Sequence, residues 1–346
     1  MNRRKFLTGA AAIAGLTATG DGRGEGAVDQ PPAGRGQAGG RGGRGRGGPA
    51  NVSAQKLARI GIMSLNHSSI IKLPWQEATP ERTLDIFDLP KYYIDVYGVR
   101  NVEFQSNHVA QNNDAPDLAY VKELRAGLDA ADSKANQINI EIGTMAQMGP
   151  DGKAAALAGD ARAAWLARAK KWVDLAPVLG VTRLMHNQGA LTDDSKAGVI
   201  SLWKELQDYA RPKNVMISGE TRGSGFPTGG NRGQGAPPPP PSMSNEERLR
   251  YVWGILWECT QAAGGYTNLD FGGETRFHNQ QELHDAIKGL LPRSAGSMHT
   301  RISPTWDVGI AIRYAESIGY KGLYTIEVSQ DAAVRVIYNA ILANLV

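Results

Sequence analysis

Residues 306–328 read WDVGIAIRYAESIGYKGLYTIEV. Ile310, Ile312, Tyr314, Ala315, Ile318 and Tyr320 recur at helical spacing, and Gly319 then interrupts the pattern. Gly322 opens a short apolar, β-branched run through Ile326. The stretch therefore predicts a helix over 307–318, a tight turn, and a buried strand that ends on an acid, Glu327. Burying a carboxylate at the end of a core strand is costly unless something pairs with it.

The same alternation extends backwards from this stretch. Strand-like runs are predicted at 58–64, 101–106, 138–143, 181–186, 215–220, 266–270, 296–299 and 322–326. Helical patterns separate them at 81–98 (broken near Pro90), 116–136, 155–178, 194–210, 244–263, 279–290 and 307–318, and a last one follows at 331–344. Ser244 and Glu247 have capping-box spacing at the start of the fifth helix. Eight strands, each followed by a helix, define a (β/α)₈ TIM barrel in one α/β domain over 51–346. A doubly wound open sheet is the alternative, disfavoured because no G-x-G-x-x-G follows the first strand. Residues 222–243 are rich in Gly and Pro and include the run Pro237–Pro241, which cannot join a helix or central strand. They are expected to be a loop insertion after the fifth strand.

The first fifty residues differ in kind. MNRRKFLTGAAAIAGLTATG (1–20) pairs Arg3-Arg4 with a short, weakly apolar middle and small residues, the pattern of a twin-arginine export signal. The apolar run is far shorter than the ~20 residues that span a bilayer, so a stable membrane anchor is not expected. Export places the protein in the periplasm or outside the cell. Residues 21–50, rich in Gly, Arg and Pro, are expected to be a disordered linker. Residues 1–50 hold eight Lys/Arg against three acids, a net of +5, whereas the whole chain is +4. The remaining 296 residues thus sum to about −1 and offer no basic footprint for nucleic acid. The single cysteine, Cys259, excludes an internal disulfide and a cysteine zinc cluster, and its setting reads as a small buried residue.

Several strands end on residues that can bind a cation. The second carries Glu103 and runs on toward His108; the fourth ends on His186, the fifth on Glu220, the sixth on Asp270, the seventh on His299 and the eighth on Glu327. Taken singly, each has an ordinary reading, as a helix cap or a satisfied core histidine. Together, Glu220, Asp270, His299 and Glu327 close four consecutive strands on one rim. Three carboxylates held that close repel unless a cation lies between them. Oxygen donors with one imidazole and no sulfur suit a single Mn²⁺, Mg²⁺, Co²⁺ or Zn²⁺ ion.

At these residues the chain resembles the sugar phosphate isomerase/epimerase family of xylose isomerase-like TIM barrels, over roughly 57–346. The likeness is strongest in 306–328. It is good at Leu184-Met-His-Asn-Gln-Gly189, and fair at Gly219-Glu220, Leu269-Asp270 and Met298-His299. The resemblance implies that Glu220, Asp270, His299 and Glu327 bind the metal and that Glu220 and Glu327 also move the proton. It also implies that a homo-oligomer is open to this chain. Two positions depart from the family: Gly273 stands where a substrate-contacting histidine is usual, and Arg301 replaces a lysine two residues after His299.

The expected activity is proton transfer on a non-phosphorylated sugar, an isomerisation or epimerisation through a metal-stabilised enediolate. Glu220 would take the proton and Glu327 return it. His186, Arg222 and Arg301 are candidate ligands for sugar hydroxyls, with Glu103 and His108 lining the far wall. A lyase or hydrolase acting on keto-sugars or glycosides is the first alternative, because phosphorylated sugars are cytoplasmic and export favours other substrates. A non-catalytic carbohydrate-binding barrel is the second. An AP endonuclease-like barrel is disfavoured by the six histidines and the near-neutral body.

Overall fold

The computed structural model describes residues 52–149, 151, 153–221, 244–270, 277–302, 307–328 and 331–346. The expected signal and linker over 1–50, the insertion at 222–243 with Arg222, and Gly273 lie outside the described residues.

Eight parallel strands close into a barrel: β1 (Ile60–Met63), β2 (Asn101–Gln105), β3 (Lys134–Ile140), β4 (Arg183–His186), β5 (Met216–Glu220), β6 (Tyr266–Asp270), β7 (Ser294–Thr300) and β8 (Leu323–Ile326). Each strand pairs with its neighbour in sequence, and β8 closes the ring on β1 with Ile60 opposite Tyr324 and Ile62 opposite Ile326. Helices cross over between the strands, as a parallel ladder requires. Among the described residues no helix is long and apolar enough to cross a membrane.

Alternation along the strands divides the interior into two chemistries. Ile60, Ile62, Val102, Phe104, Ile138, Ile140, Leu184, Ile217, Leu269, Met298, Tyr324 and Ile326 belong to one apolar core with the helices, whose Trp165, Trp172 and Trp203 are fully buried. Burial of each large apolar side chain is worth about 1.5–3 kcal/mol, so this mantle between strands and helices carries most of the driving force. The opposite parity supplies the lumen, where Met63 and Met185 are joined by a mostly polar set: Glu103, Gln105, Gln137, Asn139, Ser218, Glu220, Asn268, Asp270, Ser297, His299 and Thr325.

Residues 307–328 fold as helix Val308–Ser317, a turn at Gly319 with φ +89°, and β8. Asp307 caps the helix by accepting from the Gly309 amide. Its buried face is Val308, Ala311, Ile312 and Ala315, while Ile318, expected on that face, is 42% exposed. The capping box at Ser244 and Glu247 is present.

Three local expectations are corrected. The helix expected over 116–136 ends at Ala130, where Asp132 at φ +50° turns the chain, and β3 begins at Lys134 rather than Ile138. Within 81–98, Leu84–Asp85 pairs with Ile71–Lys72 as a short ladder, and a 3₁₀ turn at Ile86–Asp88 leads into helix Leu89–Tyr97. Pro90 sits in that helix's first turn, where a missing amide costs nothing, so it starts the helix instead of breaking it. Ala154–Ala156 pairs antiparallel with Ala146–Met148, and the third long helix starts only at Gly159.

Candidate functional site

Two strand irregularities aim the lumen side chains. Between β2 and β3, Val102 faces Ala135 but Glu103 faces Gln137, so Asn136 is an extra residue and Gln137 comes level with Glu103. Between β6 and β7, Thr267 faces Ser294 but Leu269 faces Met298. β7 therefore carries two extra residues around Gly296, whose φ of +88° is strained for any residue with a Cβ. Beyond that bulge Asp270 lies level with His299.

His299 is the hub. Its Nε2 lies 2.8 Å from Glu103 Oε1, and its Nδ1 lies 2.9 Å from Glu220 Oε1 and 2.7 Å from Glu327 Oε2. Ligand atoms of Glu220, His299 and Glu327 all lie within 4.8 Å of one another, and all three residues are buried. Burial disfavours the charged imidazole, but Glu103 and Glu327 outweigh it and raise the His299 pKa well above the usual range. Burial likewise opposes the Glu327 carboxylate, and His299 and then Arg301 overcome it, holding the group below the ordinary glutamate range.

Asp270, expected as a fourth ligand of the same cluster, is held at one remove. Arg301 Nε donates to its Oδ1 at 2.8 Å, Arg301 Nη2 to its Oδ2, and the same Nη2 lies 3.3 Å from Glu327 Oε2. Arg301 is the first residue past β7 and follows His299 by two, so both side chains turn to the lumen side. Burial works against the guanidinium, but Asp270, Glu327 and Glu220 keep it firmly protonated.

The donor chemistry fits a divalent cation. Glu103, Glu220, Asp270 and Glu327 contribute four negative charges against Arg301 and, when protonated, His299, which leaves two negative charges in a buried pocket. Glu220, Glu327 and His299 Nδ1 would hold the ion; Asp270 could join them only by loosening its pair with Arg301.

The other expected site residues are placed elsewhere. Glu103, expected on the far wall, is fully buried against His299. His186, expected to reach substrate, points away from the lumen and packs edge-on between Trp165 and Trp203, with ring centroids 5.9 and 4.9 Å away. It shares the outward face of β4 with Leu184, and burial lowers its pKa to about 4. His108 is buried beside the ends of β1 and β2, with Nδ1 2.8 Å from Ser64 Oγ and Nε2 3.3 Å from Ser68 Oγ. Burial, with Arg82 nearby, takes its pKa to about 4. Cys259 is buried and its thiol is pushed up to about 12, chiefly by burial.

Both neutral histidines predict an acid sensitivity. Each binds its proton more weakly folded than unfolded, so the unfolded chain takes up more protons as pH falls below about 6.5. The stability they confer is complete near neutrality and is lost between about pH 6.5 and 4, up to about 3 kcal/mol for each. Urea midpoints measured across that interval should fall, and His186→Phe should flatten the slope.

Glu141, the first residue after β3, is a further polar group at the mouth that the set of strand-end residues above leaves out. Its Oε1 accepts from Gln105 Nε2 at 3.1 Å and from Asn187 Nδ2 at 3.5 Å, and Asn139 donates to Gln105 Oε1. These groups form a half-open polar wall at the C-terminal ends of β2–β4. The available signal was an acid following a strand end, as at Glu327.

No protein-family model and no curated protein matches this sequence. Solved structures do match. A sugar phosphate isomerase/epimerase from Parabacteroides distasonis superposes with a TM-score of 0.54 at 13% identity, covering 85% of this chain and 94% of that one. A xylose isomerase-like TIM barrel protein from Mycobacterium smegmatis in complex with magnesium gives 0.53 at 14% identity, over 85% and 100% of the two chains. An L-ribulose 3-epimerase gives 0.51 at 15% identity, over 83% and 86%. The chain thus has the fold of the xylose isomerase-like TIM barrels.

Proposed function

We propose that the protein is a metal-dependent isomerase or epimerase of non-phosphorylated sugars. The observation that carries this reading is the arrangement of Glu220 and Glu327 on either side of His299 Nδ1, with their oxygens 2.9 and 2.7 Å from it. A cation held by these three groups supplies positive charge against the oxyanion that develops when a proton leaves the carbon beside a carbonyl. Glu220, at the end of β5, takes that proton. Glu327, from β8, returns it on the other face. Arg301 holds Asp270 and Glu327 in place and offers donors to a substrate oxygen. Glu141, Gln105 and Asn187 present acceptors and amide donors suited to sugar hydroxyls. The magnesium of the M. smegmatis barrel and the sugar epimerase among the structural matches accord with this reading.

A neutral sugar is the better substrate on electrostatic grounds. Even with a divalent ion bound, four carboxylates and one arginine leave about one negative charge, which disfavours a phosphate dianion. The Arg3-Arg4 leader pattern supports the same choice, since we place the mature protein outside the cytoplasm.

The test is elemental analysis of the purified protein, followed by incubation with free ketoses, aldoses and keto-glycosides in heavy water. About one divalent ion per chain and deuterium at a single carbon are expected. A metal-loaded sample that exchanges no sugar overturns the proposal, and release of aglycone without exchange moves the reaction to elimination.

A further inference from the structure

We propose that Glu103 is the positioning residue of the cation site: its carboxylate accepts the hydrogen bond from His299 Nε2–H and so presents Nδ1 to the ion. The inference rests on the metal reading above and adds to it a residue from the far side of the lumen. Glu103 stands on β2 and His299 on β7, with β8 and β1 between them in the ring. Both side chains are fully buried, and Glu103 Oε1 lies 2.8 Å from Nε2. Nothing from solvent competes for that contact.

Glu103 is itself held. Gln137 Nε2 donates to the same Oε1 at 3.1 Å, and the extra residue at Asn136 is what brings Gln137 level with Glu103. A bulge in β3 thus steadies a carboxylate on β2, which orients an imidazole on β7. Gly296, at φ +88° in the second bulge, sets the height of that imidazole opposite Asp270. An imidazole ligates through one nitrogen only when that nitrogen carries no proton, and the hydrogen bond made by the other nitrogen selects the form. A carboxylate on Nε2 accepts and cannot donate. It therefore keeps the proton on Nε2, so the proton that a cation displaces is the one on Nδ1, the nitrogen that lies between Glu220 and Glu327. Removing such a partner typically weakens metal affinity by about 10–100-fold.

Glu103→Gln keeps size and shape but can turn its NH₂ toward Nε2, which selects the opposite tautomer. Mn²⁺ titration of the full chain by calorimetry and electron paramagnetic resonance should show one site in the wild type. In Glu103→Gln, shown to be folded by its circular dichroism, that site should bind about 10–100-fold more weakly. A second measurement needs no variant: long-range ¹H–¹⁵N spectra of the zinc-loaded protein should place the His299 proton on Nε2 and the metal on Nδ1. A merely structural contact would not determine which nitrogen is metallated. Equal affinity in folded Glu103→Gln, or zinc on Nε2, overturns the role of Glu103 while leaving the metal site standing. A folded wild type that binds neither Mn²⁺ nor Zn²⁺ overturns the metal reading and this inference with it.

Discussion

Glu220→Gln and Glu327→Gln should each lower turnover by about 10²–10⁴-fold, the usual scale for removing a positioned acid or base. An amide is close to a carboxylate in size and still offers an oxygen to a cation, but it cannot accept a proton at neutral pH. The loss should therefore fall on kcat, with a smaller change in KM, because the Gln105–Glu141–Asn187 wall proposed to hold the sugar is untouched. The two variants should also differ. If Glu220 takes the proton from the substrate, Glu220→Gln abolishes deuterium wash-in from heavy water. Glu327→Gln retains slow exchange at the same carbon without completing the inversion or transfer. Mass spectrometry of the recovered sugar reads both outcomes, and wild-type rates in either variant would remove these residues from the chemistry.

His299→Leu should produce the largest loss of stability, about 3–5 kcal/mol, the scale for breaking a buried ion pair from one side. Among the described residues, the imidazole is the group that contacts Glu103, Glu220 and Glu327 together. Leucine is similar in size, so the effect is electrostatic: buried carboxylates lose the positive partner between them, and Arg301 reaches only Glu327 and Asp270 closely. Denaturant midpoints should fall accordingly, and added Mn²⁺ should not restore them because one ligand is gone. In the wild type, by linkage, a divalent ion should raise the midpoint and a chelator should lower it. A midpoint for His299→Leu within about 0.5 kcal/mol of wild type, the range of ordinary surface substitutions, would contradict this account.

The barrel was legible in the sequence because its signals are local. Helical periodicity in 306–328, the strand at Tyr266–Asp270 and the last helix at Asp331–Asn344 depend on residues a few positions apart, and the structure places them where the pattern predicts. Less legible was the direction of each side chain. On β4, Arg183, Leu184, Met185 and His186 alternate with no clear polar face, and slipping the parity by one residue exchanges lumen for mantle. His186 consequently lies between two tryptophans and not above the mouth. Glu103 is expected on the far wall beside substrate, but it stands two residues before the end of β2, so its carboxylate lies deeper, against His299.

By itself the sequence determined the order of strands and helices, the polar character of the strand ends, and a candidate set of acids and one histidine for a cation. The tertiary structure decided the company each one keeps. Glu103, Glu220 and Glu327 meet at one imidazole, and Asp270 turns to Arg301. Such meetings span up to 196 residues of chain and depend on two bulges and on the closure of β8 against β1. Periodicity read a few residues at a time carries no record of them.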